Sequence, residues 1–292
     1  MWTVFTVSLF ATRTAGMQDE SPFTYDWNSD KGPGNWGNLD RNWKACGVGK
    51  LQSPIDLNDD RVSILHTLGN LKRTYKPAPA VIKNRGHDIM VSYLVHVVSL
   101  GILFWFQRLL LQLLARSFVS MFFLFVRSSV GGRCRRRLIN GTEFKLLQSH
   151  WHTPSEHTVD GKRFKMEIHM VHKNSHGQIS VVGILYKLGR PDAFLAKLLE
   201  HIKTAGHQGK HVGFVDPWDV KFGSRKYYRY IGSLTVPPCT EGVLWTILKK
   251  VRTVSLEQIR ALRDAVHDGF EENARPIQQS DDITVYMYRP KA

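Results

Sequence analysis

The chain is 292 residues long, 42% apolar and 11% aromatic, which suits one large domain or two small ones with a sizeable core and excludes intrinsic disorder. Its formal charge of +15 would by itself suggest an anionic partner. Seven arginines (Arg108, Arg116, Arg127, Arg133, Arg135, Arg136, Arg137) fall in one stretch, 89–142, that holds no Asp, Glu or Lys; without them the balance is +8. No zinc-finger spacing, recognition helix or aromatic-glycine RNA motif accompanies the charge, so nucleic acid is excluded as the expected partner.

In chain order, "MWTVFTVSLFATRTAG" has a short apolar run followed by small residues but no basic start, so 1–17 reads as a degenerate or truncated signal-like segment. From Gln18 to about Lys50, Gly, Asn, Asp and Trp predict irregular structure with aromatic anchors. After "KLQSPIDL", alternating runs such as "AVIKNRGHDIMVS", bounded by Pro and Gly, predict strands. "EFKLLQSHWH", "RFKMEIHMVHK" and "QISVVGILYKLG" continue them. "PDAFLAKLLEHIKTAG" has apolar residues at helical spacing and stops at Gly206. "SLEQIRALRDAVHDG" repeats the pattern, with Ser255 as N-cap, Ile259, Leu262 and Val266 on the apolar face, and Gly269 at the end. "VLWTILKKV" between them reads as a strand. Many strands, two helices and no strand-helix alternation predict a β-dominated mixed α+β fold, one domain over 18–292.

Residues 93–139 break the pattern. They are apolar with scattered Arg and no clear period, and the window 89–107 is nineteen residues without a formal charge, long enough for a membrane span. Ser92, His96, Ser99, Gly101 and Gln107 inside it, and Arg116 in the apolar stretch that follows, argue against a span. Three cysteines, Cys46, Cys134 and Cys239, allow one pair with one left over, or no pair. "NGT" at 140–142 is a glycosylation sequon if the chain is secreted.

The chemistry concentrates in "LQSHWHTPSEHT", 146–157. On a strand, residues two apart share a face, so Gln148, His150 and His152 point one way and Ser149 and Trp151 the other. "MEIHMVH" then offers His169, with Glu167 and Val171 on its face. Three histidines suit a catalytic zinc that keeps its fourth position open. Each neutral ring needs an acceptor on its second nitrogen, and Gln148 and Glu167 stand where such partners belong. The competing reading is that these are polar positions on exposed strands, with Glu156 and His157 a surface pair.

The ordered motifs "FTYDW", "GPGNW", "LQSPIDL", "NRGHDIMV", "SHWHTPSEHT", "MEIHMVH", "GSLTVPPCTEGVLW" and "NARPIQ" span nearly everything outside the N-terminus and 93–139. Together they resemble the alpha-class carbonic anhydrases, most closely the plant type. The resemblance implies a large, twisted, mostly antiparallel sheet with a few surface helices and zinc (Zn2+) at the bottom of a conical cleft. It implies reversible hydration of carbon dioxide to bicarbonate and a proton by zinc-bound hydroxide, with sulfonamide and anion inhibitors. His150, His152 and His169 match the zinc ligands, and Gln148 and Glu167 the partners behind them. Thr235 matches the gating threonine and Glu156 the carboxylate that orients it. His87 matches the proton shuttle, expected to have an ordinary imidazole pKa, about 6.5. Val171, Val181, Leu234, Val243 and Trp245 match the apolar pocket for carbon dioxide. Cys46 and Cys239 match a disulfide of secreted members, which implies the secretory pathway or the extracellular space.

Three departures stand out. Val236 replaces a common second hydroxyl, and Met90 a common amide. Residues 93–139 replace a connection of about ten residues. Loop-closure entropy tolerates that lengthening at about 0.6 kcal/mol per doubling, but a long exposed apolar stretch invites association. A membrane span there would separate His87 from His150. The lysine-free, acid-free composition and the stray Cys134 lead us to expect that much of 93–139 is retained non-coding sequence or a gene-model error, with a transcript that lacks those codons. The alternative to an enzyme is a catalytically impaired or non-catalytic storage or binding protein on the same fold.

Overall fold

The computed structural model describes residues 22–94, 136–139, 142–266 and 269–290. The signal-like segment 1–17, Cys134, Asn140 and most of the 89–107 window lie outside them. The strands that position the site are β1 (Ala78–Asn84), β2 (Ile89–Tyr93), β3 (Arg136–Ile139), β4 (Thr142–His152), β5 (Met166–Lys173), β6 (Ile179–Leu188), β7 (Lys210–Val215), β8 (Tyr227–Ser233), β9 (Glu241–Leu248) and β10 (Tyr286–Tyr288). The two longer helices are α1 (Ala193–Lys203) and α2 (Leu256–Ala265).

The strands form one thirteen-stranded sheet among the described residues, in the order β7-β1-β2-β4-β5-β6-β9-β8-β10 and then Ser63–Ile64. Most neighbours are antiparallel, while β6 runs parallel to β9 and β10 parallel to Ser63–Ile64. This is the mostly antiparallel sheet expected. Both ends of the atypical 93–139 stretch belong to it: Tyr93 closes β2, and β3 pairs with β4 and with Lys72–Arg73. No helix among the described residues is long and apolar enough to cross a membrane.

Strand alternation sorts side chains to two faces. Ile89, Val91 and Tyr93 of β2, Trp151 of β4, Met166, Ile168 and Met170 of β5, and Val182, Ile184 and Tyr186 of β6 share one core with Phe194, Leu195, Leu198 and Ile202 of α1. Each fully buried aliphatic side chain there contributes about 1.5–3 kcal/mol. The opposite face of β2, β4 and β5 carries Met90, Gln148, His150, His152, Glu167, His169 and Val171. β5 is buried on both faces through Met170: residues of α1 and α2 pack on the side of Met166, Ile168 and Met170, while Glu156, His157 and Trp245 meet Glu167 and His169 on the other.

A register shift refines this pattern. Val171 pairs with Gln148 and His172 with Leu146, so Leu147 is an extra residue on β4. The bulge reverses the alternation beyond it and turns Leu146 into the helix-side core, away from the face of Gln148.

Both helices start where the sequence indicates. Asp192 caps α1 by accepting from the N–H groups of Phe194 and Leu195, and Ser255 caps α2 in a reciprocal box with Gln258. Gln258 also ties the two ends together, Oε1 accepting from Asp192 N and Nε2 donating to Asp192 O, both at 2.8 Å. Val266 ends the α2 face as its C-cap. Ser255→Ala removes one cap acceptor and leaves Gln258 in place, so it should cost about 1 kcal/mol, read as a lower urea midpoint with an unchanged slope.

Residues 22–50 form the expected aromatic cluster. Phe23, Trp36 and Phe270 pack with Cys46 and Cys239, which form the disulfide that the resemblance implied.

Candidate metal centre

β4 and β5 run side by side, with His169 directly opposite His150 and Glu167 opposite His152. The pairing converts three histidines distributed over twenty residues of chain into one cluster, whose ligand atoms lie within 4.8 Å of one another. Their ring centroids are 4.5–5.2 Å apart. The rings are buried, and burial pushes His150 well below the usual imidazole range and His169 below it too. Neutral rings offer lone pairs at neutral pH, as metal ligation requires.

Each ring is oriented by an acceptor behind it. His150 Nδ1 is 2.8 Å from Gln148 Oε1, and His152 Nδ1 is 2.7 Å from the Asn273 carbonyl oxygen. His169 Nε2 is 3.0 Å from Glu167 Oε1, at too bent an angle for a full hydrogen bond. The nitrogens left to face one another are therefore Nε2 of His150 and His152 and Nδ1 of His169. His152 Nε2 is buried without a hydrogen-bond partner, an orphan that a cation satisfies. Three imidazole nitrogens gathered within 4.8 Å of one another fit zinc.

Glu167 is the hub behind the set. Its Oε2 accepts from the backbone N–H groups of Glu156 and His157, and Oε1 pairs with His157 Nδ1 at 2.8 Å as well as with His169. Burial alone would raise its pKa; the facing imidazoles, His157 and His169, override that and hold the carboxyl well below the usual range. His157 Nε2 continues to Tyr230 Oη at 2.7 Å, which meets Ser53 Oγ at 2.9 Å. A side chain on Gly183, the β6 residue opposite His169, would collide with Glu167 Oε1 at 2.6 Å, so this position must be glycine for the carboxylate to fit. His157, Glu167 and His169 also form a compact triad, but their mutual contacts already engage the donor atoms.

Glu156 and His157, read from the sequence as a possible surface pair, are both completely buried. Glu156 Oε1 accepts from Arg275 N at 2.9 Å, while Oε2 has no hydrogen-bond partner and lies 3.5 Å from His152 Nε2 and 3.8 Å from His169 Nδ1. Thr235 is buried, yet no hydrogen bond joins it to that oxygen. The expected Thr235–Glu156 link is not made in this arrangement.

Of the residues matched to an apolar pocket, Val181, Val243 and Trp245 are buried in one cluster, with Val171 and Leu234 packed against it. Trp245 stands edge-on to His169 at 4.8 Å, its Nε1 donating to Ser233 O at 2.9 Å. His87 differs from expectation in one respect. Its side chain is only 15% exposed and its Nε2 is buried without a partner. Burial lowers its pKa below the ordinary imidazole value, although Asp88 beside it pulls the other way. The physical reason is the aromatic cluster of residues 22–50, whose Phe23 ring sits 5.3 Å from the imidazole.

Three participants escaped the sequence reading. Asn273 orients His152 through a backbone carbonyl, which no side-chain pattern signals. Its side chain also holds Thr153 N and the carbonyl oxygens of His87 and Trp151. Arg275 links Gln52, Ser53 and Cys46 through its guanidinium, which burial brings down to about 10 while leaving it charged at neutral pH. His157 was visible, but its buried partners were not.

A family model described as eukaryotic-type carbonic anhydrase matches residues 131–289. The chain is 47% identical over 274 residues to alpha carbonic anhydrase 4 of Arabidopsis thaliana, covering 94% of this chain and 88% of that protein. Among solved structures it is similar to dioscorin complexed with ascorbate, with TM-score 0.77 and 35% identity over 92% of this chain and 98% of that one. It is also similar to the alpha-carbonic anhydrase of Thermovibrio ammonificans in complex with the inhibitor sulfanilamide, with TM-score 0.71 and 30% identity over 90% of this chain and 98% of that one.

Proposed function

The chain belongs to the eukaryotic-type carbonic anhydrase family, and from that premise we propose that it catalyses zinc-dependent, reversible hydration of carbon dioxide to bicarbonate and a proton. The observation that carries the reading is the convergence of His150, His152 and His169, each with an acceptor behind its second nitrogen. Zinc, when bound there, supplies the Lewis acidity that makes water a nucleophile at neutral pH.

The remaining work falls to the protein's own groups. His150, His152 and His169 would hold the metal, while Gln148, the Asn273 carbonyl and Glu167 stand behind the rings. Val171, Val181, Leu234, Val243 and Trp245 offer an uncharged substrate an apolar wall and exclude water from it. Glu156 Oε2 has no partner in the present arrangement; were Thr235 to turn its hydroxyl hydrogen to that oxygen, the threonine oxygen would be left to accept from the attacking water. His87 takes up the released proton and passes it to buffer. As a weaker base than free imidazole, it gives the proton up readily and takes it up less readily. The buried Cys46–Cys239 disulfide supports an oxidising compartment, the secretory pathway or the extracellular space. The sulfanilamide complex of the Thermovibrio relative supports sulfonamide inhibition here.

Stopped-flow hydration of carbon dioxide by the purified chain tests the proposal. Activity should vanish after dialysis against a chelator, return with zinc, and be suppressed by sulfanilamide. The similarity to dioscorin complexed with ascorbate favours a second reading, a storage or binding protein. A folded, zinc-loaded chain without activity would establish it over the first.

A further inference from the structure

Between β1 and β2 the chain reverses through Arg85, Gly86, His87 and Asp88, and the turn is built around an ion pair that the metal set does not use. Arg85 N donates to Asp88 O at 2.9 Å. Arg85 Nε donates to Asp88 Oδ1 at 2.6 Å, and Nη2 to Oδ2, a bidentate grip. Gly86 at φ +88° makes the reversal possible, its N–H donating to Asn84 Oδ1 at 2.7 Å. The Asp88 side chain is 1% exposed, and its Oδ2 lies 3.8 Å from His87 Nε2. Asn273 Nδ2 fixes the His87 carbonyl at 2.8 Å.

We propose that the Arg85–Asp88 pair is a positioning device for proton transfer, holding the His87 ring at the turn and setting a carboxylate beside its Nε2. The inference rests on reading His87 as the proton carrier. Asp88 supplies the negative charge that favours the charged imidazole, while Arg85 keeps that carboxylate ionised and in place. The other groups facing His87 or the pair are His152 from β4, which with Arg85 opposes the imidazolium, His150 from β4, which interacts with both Asp88 and Arg85, and Tyr25, whose buried hydroxyl faces Asp88 and Arg85.

The test compares the zinc-loaded wild type with Asp88→Asn, Asp88→Glu, His87→Ala and the double variant R85Q/D88N. In Asp88→Asn the His87 titration, followed by NMR, should move down by about one unit, and kcat in dilute buffer should fall about tenfold. kcat/KM should move by less than about threefold, because proton release follows the chemical step. Imidazole buffer should restore kcat, and Asp88→Glu should recover part of the loss. R85Q/D88N leaves no unpaired guanidinium and carries the same test, with a smaller NMR shift, if the single variant does not fold. An unmoved His87 titration in both variants, or parallel loss of kcat and kcat/KM without buffer rescue, overturns the inference. His87→Ala separates it from its premise. Full kcat in that variant in dilute buffer refutes the proton-carrier reading itself; a rescuable loss there, beside an unaffected Asp88→Asn, refutes only the role of the pair.

Discussion

His152→Ala should yield a folded protein that no longer retains zinc and hydrates carbon dioxide at below about a hundredth of the wild-type rate. Loss of an outer partner of a ligating histidine already costs about 10–100-fold in metal affinity or activity, and here an entire donor goes. His152 is the sharpest choice of the three because its ring is fully buried, its Nδ1 is committed to the Asn273 carbonyl, and its Nε2 has no other partner. The Asn273 carbonyl would lose that donor, at about 1–3 kcal/mol, which a domain of ordinary stability survives. Zinc content by atomic absorption, near-ultraviolet circular dichroism and stopped-flow hydration read the three consequences separately. A variant that keeps one zinc per chain and more than a tenth of the activity would move the metal away from these strands.

Replacing Cys46 and Cys239 together by alanine should remove about 3–5 kcal/mol of stability. The cross-link spans 193 residues, and restricting so long a loop in the unfolded chain is worth about 5 kcal/mol by the chain-entropy argument, less whatever residual structure the unfolded chain keeps. That is a large share of the 5–15 kcal/mol typical of a domain. The effect is also local. Cys239 closes a turn onto Val236 and accepts from Gln52 Nε2, while Cys46 O accepts from Arg275 Nη2. Thr235 therefore sits on a segment tied to the N-terminal region by the disulfide and by the groups around it. Guanidinium unfolding of the wild type, oxidised and reduced, beside the double variant measures the contribution. A difference below about 1 kcal/mol would mean that these hydrogen bonds hold the segment without the cross-link.

How much of this was legible depends on the kind of signal each residue leaves. His150 and His152 could be read as neighbours on one face because a strand repeats every two residues, and Gln148 followed by the same rule. The helix cap at Ser255 was legible because a short side chain acts on an N–H group three residues away. Asn273 was not, since it works through its backbone and lies 121 residues from the ring it orients. The burial of Glu156 and His157 was equally hidden. Two such groups in "PSEHT" look solvated until Glu167 from another strand accepts from both their N–H groups. The bulge at Leu147 leaves no mark in the local pattern, yet it decides that Leu146 joins the core behind the site. His87 was recognised, but the pKa assigned to it assumed solvent that the aromatic cluster of residues 22–50 removes.

By itself the sequence determined the β-dominated class, the strand bearing two histidines, the candidate third ligand and, through its ordered motifs, the family. These rest on periodicities and motifs contained within short runs, where covalent geometry alone dictates which side chains share a face. The tertiary structure decided the rest. It set the register that brings His169 opposite His150, chose which ring nitrogens remain free, and withdrew Glu156, His157 and most of His87 from water. Those outcomes depend on desolvation and on hydrogen bonds between residues 121 and 186 apart in the chain, and such terms acquire values only once the sheet has closed around them.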